Sequence, residues 1–196
     1  MHRTSRTAGF VLAACIASIV PARTLRAADA DPADADQHGR IALTGWVSED
    51  AQYSNPAETE TADEGRQLVI SFRGGAKDKA VVWKSLDDAK MTATGTLNFL
   101  VANLTTGAVH VSVALKTGPN YTFHESKQVT VKPDTNTFQR VAIDLGSSTF
   151  KSAATAWKHT GTLADPDALR SIQVLVYNGS VTGEVIVADI RIAPKR

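Results

Sequence analysis

Apolar and polar residues alternate along most of the chain from Ile41 onward. A period of two is typical of a β-strand with one buried and one exposed face. The one helical candidate is a single turn over residues 165–169, where Asp165 and Pro166 suit an N-cap and the first helical position. The predicted strands carry these apolar positions: Leu68, Ile70 and Phe72; Leu97, Phe99 and Val101; Val109, Val111, Val113 and Leu115; Val141, Ile143 and Leu145; Ile172, Val174 and Val176; Ile186, Ala188, Ile190 and Ile192.

Turn-forming pairs separate these segments every dozen or so residues. Examples are Gly74-Gly75, Pro133-Asp134 and Asn178-Gly179. One-sided alternation interrupted by such turns indicates antiparallel sheets that face a shared core. The sequence therefore predicts an all-β fold, an antiparallel β-sandwich, as a single domain over residues 41–196.

The first 30 residues have the features of a secretion signal. Arg3 and Arg6 precede an uncharged, mostly apolar run too short to span a bilayer, and small-residue cleavage patterns follow. We expect a signal peptide at residues 1–30 and a flexible Asp- and Ala-rich linker at residues 31–40. The predicted localisation is secreted, either periplasmic or extracellular.

Cys15 is the only cysteine of the 196 residues and follows Leu-Ala-Ala in the manner of a lipobox. The alternative localisation is therefore a lipoprotein anchored at Cys15. Because the apolar run continues past Cys15, we expect plain secretion. A chain cleaved after Ala30 has no cysteine, which excludes disulfides and thiol chemistry.

The charge balance argues against highly charged partners. The whole chain has a formal net charge of +1, and the predicted signal holds four arginines and one aspartate, so the remainder is slightly acidic. Neither nucleic acid nor an anionic membrane is expected as a partner, unless Cys15 is lipidated.

Five segments carry, in this order, a resemblance to a known family: GTLNFLVANLTTG, VHVSVALKTGPNYTFHESKQVTV, FQRVAIDLGSSTF, LADPDALRSIQVLVYN and GEVIVADIRI. From about residue 95 to residue 192 the chain resembles the galactose-binding-like jelly rolls. Many noncatalytic carbohydrate-binding modules of secreted glycoside hydrolases are among them. The resemblance implies a jelly roll that binds a poly- or oligosaccharide without cleaving it.

Sugar binding needs flat apolar surface together with polar groups for hydroxyls. Trp157 lies in a polar loop and is either an exposed platform or a lid over one end of the sandwich. Gln173 and Tyr177 share a strand face opposite the predicted core positions. Tyr121 and His124 follow the Gly-Pro-Asn turn at residues 118–120. These five are the candidate ligand-binding residues.

The two other tryptophans, Trp46 and Trp83, lie inside apolar alternating stretches. We expect both in the core rather than at a binding surface.

Asp189 interrupts the apolar run of the last strand, EVIVADIRI. In the modules that the chain resembles, such an acid often helps to hold a structural calcium ion, with ligands from the first strand. Glu49 and Asp50 are the candidate partners, because calcium prefers carboxylate and carbonyl oxygens. The alternative is an outward-facing Asp189 paired with a neighbouring lysine or arginine.

Catalytic signatures are missing from the sequence. The five histidines lack tight metal spacing, and no nucleophile elbow, P-loop or dinucleotide fingerprint occurs. We therefore expect a noncatalytic glycan-binding module. The alternatives are a structural or protein-interaction sandwich of the cell envelope and, with less support, a polysaccharide-acting enzyme.

Overall fold

The computed structural model describes residues 39–61, 65–75, 77–87 and 91–194. The predicted signal peptide, Cys15 and residues 31–38 of the predicted linker lie outside the described residues. Gly39 and Arg40 already bond to the last strand. Arg40 forms a bridge with Arg191, and the N–H of Ile192 donates to the Gly39 carbonyl at 2.8 Å. The packed chain thus includes the last two residues of that linker.

The described residues form eleven strands and one short 3₁₀ helix, Ala153–Thr155. No helix among them is long and apolar enough to cross a membrane. The strands are β1 (Val47–Ser48), β2 (Ser54–Thr61), β3 (Gly65–Phe72), β4 (Ala80–Ser85), β5 (Thr96–Asn103), β6 (Val109–Thr117), β7 (Thr122–Glu125), β8 (Val129–Val131), β9 (Asp134–Asp144), β10 (Leu169–Tyr177) and β11 (Gly183–Ala193).

Two antiparallel sheets pack face to face. One has the order β1-β4-β10-β6-β7, with β8 also paired to β6, and the other has the order β2-β3-β11-β5-β9. In each sheet the inward side chains are the apolar ones, which form one continuous core. Each fully buried aliphatic side chain of this kind contributes about 1.5–3 kcal/mol. The predicted antiparallel β-sandwich is confirmed.

The two C-terminal strands, β10 and β11, each occupy the middle of one sheet. β10 pairs with β4 on one side and β6 on the other, and β11 pairs with β3 and β5. The last strands in the sequence are therefore the ones that join each sheet together.

The alternation within β11 differs from the prediction. Val185 and Val187 face the core, and so do Ile190 and Ile192, while Ile186 and Ala188 face outward. The change of phase falls at Asp189, where the pairing with β5 shifts register and φ is 49°. A β-bulge adds one residue to a strand, and Asp tolerates this left-handed conformation better than most residues. The predicted single face of Ile186, Ala188, Ile190 and Ile192 is therefore wrong.

The predicted helical turn at residues 165–169 is also not found. Asp165 has φ 45°, which is not the extended conformation of an N-cap, and only the turn bond from the Ala168 N–H to the Asp165 carbonyl forms. Leu169 already begins β10.

Candidate functional site

The outward side chains of the six-stranded sheet form one surface, here called the outer face. One row of it runs across five strands in register: Val47, Trp83, Gln173, Ala114 and Glu125. Ala114 and Glu125 are almost inaccessible to solvent although they point away from the core. The outer face is therefore recessed, with taller groups around its floor.

A cleft of about 420 Å³ opens at one end of the outer face. Strand residues line its base, and residues that follow β1, β4 and β6 add to its walls. The lining residues are Glu49, Trp83, Ser85, Asp87, Lys116, Tyr121, Arg170, Ser171 and Gln173.

Three polar side chains lie at the base of the cleft. Ser171 is buried, and its Oγ has no hydrogen-bond partner among the described residues. Gln173 lies two residues along the same strand, and Lys116 lies directly opposite Ser171 on β6. Buried hydroxyls are nearly always paired, so the Ser171 Oγ marks a place for an incoming polar atom.

Asp87 on the wall is fully engaged. It accepts hydrogen bonds from the Ser85 Oγ and the Tyr121 hydroxyl, both at 3.0 Å, and the Arg170 guanidinium lies 3.7 Å away. The hydrogen bond to Asp87 raises the pKa of Tyr121, which stays protonated. These contacts hold the Tyr121 ring at the cleft with about half of its surface exposed.

A buried ionic cluster braces the next part of the outer face. The Glu125 carboxylate accepts hydrogen bonds from the Tyr177 hydroxyl at 2.5 Å and from the Ser112 Oγ at 3.2 Å. The Nζ atoms of Lys151 and Lys79 lie 3.0 and 3.5 Å from its oxygens. Burial raises the pKa of Glu125, but the hydrogen bonds from Tyr177 and Lys151 outweigh it and the net pKa is lowered. Glu125 is therefore a paired anion.

Tyr177 is fixed by the same cluster. Burial and the hydrogen bond to Glu125 raise the pKa of Tyr177, and the ammonium groups of Lys79 and Lys151 lie 5.1 and 5.9 Å from its ring centroid. The structure places Tyr177 on the same face as Gln173, as the alternation predicts, but outside the lining of the cleft.

Trp157 stands at the opposite side of the outer face. Its ring contacts Phe123, centroid to centroid at 6.0 Å, and Phe123 lies opposite Lys116. Ala156 and Trp157 both have positive φ, 49° and 60°, a backbone conformation that costs free energy for residues other than glycine. With 58% of its surface exposed, Trp157 is not a buried lid.

Two residues lie elsewhere in the structure than the sequence predicts. His124 lies opposite Leu115 and points into the sandwich, where it is 3% exposed and its Nε2 accepts the Ala164 N–H at 3.2 Å. It is not on the outer face. Trp83 was predicted in the core but is 36% exposed, because Val82 takes the inward position. Trp46 is buried, as predicted.

The candidate calcium ligands do not come together. Asp189 pairs with Arg40 at 3.2 Å and Arg191 at 2.7 Å, one arginine on each carboxylate oxygen. Asp50 pairs with Lys77, while Glu49 lines the cleft on the other sheet. The described residues contain no group of three or more acids, histidines or cysteines suited to a metal. Asp189 therefore does not fit a calcium site, and calcium binding stays an untested prediction.

The large exposed apolar side chains are concentrated on one side of the molecule. Among the described residues they are Val47, Trp83, Tyr121 and Trp157, and all four lie on or beside the outer face. The outward apolar residues of the other sheet, such as Phe138 and Ile186, are buried in a small cluster. The aromatic surface and the unpaired polar groups thus coincide.

By sequence, no protein-family model and no curated protein matches the chain. By structure, the chain is similar to a family 11 carbohydrate-binding module from Clostridium thermocellum, solved in complex with a β-1,3-1,4-mixed-linked tetrasaccharide. The TM-score is 0.53 at 14% identity, covering 81% of this chain and 97% of that one. A solution structure of CtCBM11 gives 0.56 at 16% identity, covering 83% and 99%.

The same fold recurs inside larger proteins. An exo-β-agarase matches with a TM-score of 0.56 at 10% identity, and the match covers 81% of this chain but 25% of that one. At these identities the likeness establishes the fold. The chain is a jelly-roll β-sandwich of the kind found in carbohydrate-binding modules.

Proposed function

We propose that the protein is a noncatalytic glycan-binding module and that the glycan lies on the outer face, between Trp83 and Trp157. The observation that carries the proposal is the coincidence of exposed aromatic rings with unpaired polar groups at the base of one cleft. Aromatic rings contact the apolar faces of sugars, and hydroxyl and amide groups fix their orientation. The likeness to carbohydrate-binding modules supports the same function.

The distances suit an oligosaccharide rather than a single sugar. Trp83 lies on β4 and Phe123, beneath Trp157, on β7, three strand spacings away. At about 4.8 Å per spacing the two sides are about 14 Å apart across the sheet. A chain of several sugar units spans that length.

The absence of a catalytic role is part of the proposal. Glu125, the one deeply buried acid among the described residues of the outer face, is held as a paired anion by four neighbours. Tyr177 is a hydrogen-bond donor with a raised pKa, which is the opposite of an activated base. Both groups stabilise the floor of the outer face rather than act on a substrate.

Replacing Trp83 tests the proposal. Burying about 60 Å² of its ring against a sugar is worth about 1.5 kcal/mol, so Trp83→Ala should weaken binding about tenfold. Because Trp83 is only 36% exposed, the thermal midpoint should also fall, so binding is compared at a temperature at which both proteins are folded. Binding is measured by a glycan array on the purified protein and then by affinity electrophoresis with the polymers retained.

The matched control is Arg140→Ala. Arg140 is exposed and lies opposite Leu100, on the outward side of the five-stranded sheet. It should bind like the wild type. Equal binding by wild type and Trp83→Ala would place the site elsewhere, and an array without any retained glycan would refute the function.

A further inference from the structure

The base of the cleft is rich in hydrogen-bond donors. The Ser171 Oγ lacks a partner in the described part of the chain, and there Lys116 and the Gln173 amide likewise form no hydrogen bond or ion pair. Ser171 and Lys116 are directly opposed on neighbouring strands, so their Cβ atoms lie about 5 Å apart. A hydroxyl and a lysine side chain therefore leave the sheet at directly opposed positions, two residues along β10 from the Gln173 amide.

The two acids of the cleft, Asp87 and Glu49, do not neutralise the positive charge of Lys116. Asp87 is engaged by Ser85, Tyr121 and Arg170, as described above. Glu49 lies beside Val81 on the opposite wall, because its N–H donates to the Val81 carbonyl at 3.0 Å. Glu49 directly follows β1, which is three strand spacings from β6, or about 14 Å. That separation exceeds the screening length of about 10 Å at 0.1 M salt.

We infer that the cleft selects an acidic glycan, whose oxyanion group lies at Lys116, Ser171 and Gln173; this inference rests on the proposed function. A carboxylate or sulfate group only accepts hydrogen bonds, so it matches three donors without competing protons. An ammonium at the same point makes those bonds charge-assisted. Glu49 at the far wall repels a second acidic group there, which fixes the direction of the bound chain.

The test compares three polymers by affinity electrophoresis of the purified protein: polygalacturonate, a sulfated galactan and a neutral mixed-linked β-glucan. We expect retention by at least one acidic polymer, weakened as salt is raised. Polygalacturonate identifies a carboxylate and the galactan a sulfate. Lys116→Gln should weaken retention by the acidic polymers about tenfold, because one charge-assisted hydrogen bond is lost. Arg140→Gln removes the same charge from the other sheet and should change nothing.

Ser171→Ala separates binding from folding. Because its hydroxyl is unpaired in the fold, the variant should keep the thermal midpoint while losing retention on the acidic polymer. Retention by the neutral glucan alone overturns the inference and leaves the proposed function standing. Acidic retention that Lys116→Gln does not weaken overturns it as well. Failure of all three polymers, with an array that also shows no binding, overturns both.

Discussion

Ser171 and His124 are two buried residues in the described part of the chain that keep a polar atom without a partner. Their surroundings differ. Ser171 lines an open cleft, where the proposed glycan would supply the missing bond. The Nδ1 of His124 lies inside the sandwich, while its Nε2 accepts the Ala164 N–H. An accepting Nε2 requires a neutral ring, so Nδ1 carries the proton and the unpaired N–H.

Acid should destabilise the protein through His124. Burial lowers the pKa of His124, although the nearby Asp165 partly offsets it. Unfolded histidine titrates near 6.5, so the unfolded state binds more protons below that pH. Stability is therefore complete above about pH 6.5 and is lost as the pH falls towards the lower pKa of the folded state. Thermal midpoints at pH 7.5 and 5.5 measure the loss.

His124→Gln provides the comparison, because an amide oxygen can accept the Ala164 N–H without titrating. We expect a smaller difference between the two pH values in this variant than in the wild type. An equal difference would mean that other groups carry the acid sensitivity.

Among the elements, β11 shows why a carboxylate occupies an apolar strand. Asp189 is the bulge residue, with φ 49°, and its two arginine partners belong to the chain preceding β1 and to β11 itself. Asp189 thus has two roles: it adopts the positive φ of the bulge, and it forms ion pairs with Arg40 and Arg191. The two apolar pairs on either side, Val185 with Val187 and Ile190 with Ile192, are out of phase by one residue.

Asp189→Asn and Asp189→Ala should separate these two roles. Asn keeps the tolerance for positive φ and loses only partly exposed ion pairs, which are worth up to about 1 kcal/mol. Ala loses that tolerance too, at a further cost of about 1 kcal/mol. Urea denaturation should therefore rank the free energy of unfolding as wild type, then Asn, then Ala.

The same variants test calcium. Because both oxygens of Asp189 face guanidinium groups, neither calcium nor a chelator should shift the wild-type midpoint through this residue. A calcium-dependent midpoint that Asp189→Asn abolishes would contradict the ion-pair account and favour the metal.

Six of the eleven strands, β3, β5, β6, β9, β10 and β11, could be predicted because they carry period-two alternation, as in Leu97, Phe99 and Val101 of β5. Where apolar residues are consecutive, the sequence does not predict which residues of the strand face the core. Within Val81, Val82 and Trp83, either Val82 alone or the pair Val81 and Trp83 can face inward. In the structure Val82 faces the core. A one-residue shift exchanges the two faces of a strand, so the same ambiguity misplaced Trp83 and one half of β11.

At the scale of the whole molecule, the site is a product of the fold. Trp83, Tyr121 and Ser171 come from three distant segments, and only sheet pairing brings them to one cleft. No local motif marks such a set. Gln173 and Tyr121 could be predicted because a polar residue on a strand face and an aromatic residue after a turn are visible in sequence. Lys116, Ser171 and Glu125 could not, because their significance depends on what lies opposite.

The central position of β10 and β11 has a consequence for how the protein is made. A nascent chain that ends before Leu169 holds each sheet as two unjoined parts, β1-β4 and β6-β7 in one and β2-β3 and β5-β9 in the other. Since neither gap closes until β10 and β11 are present, we expect cooperative folding only after both of these strands have been synthesised. A fragment of residues 39–168 should therefore show no cooperative unfolding, and a peptide of residues 169–196 added in trans should restore it. A fragment that unfolds cooperatively alone would show that β10 and β11 are dispensable for folding.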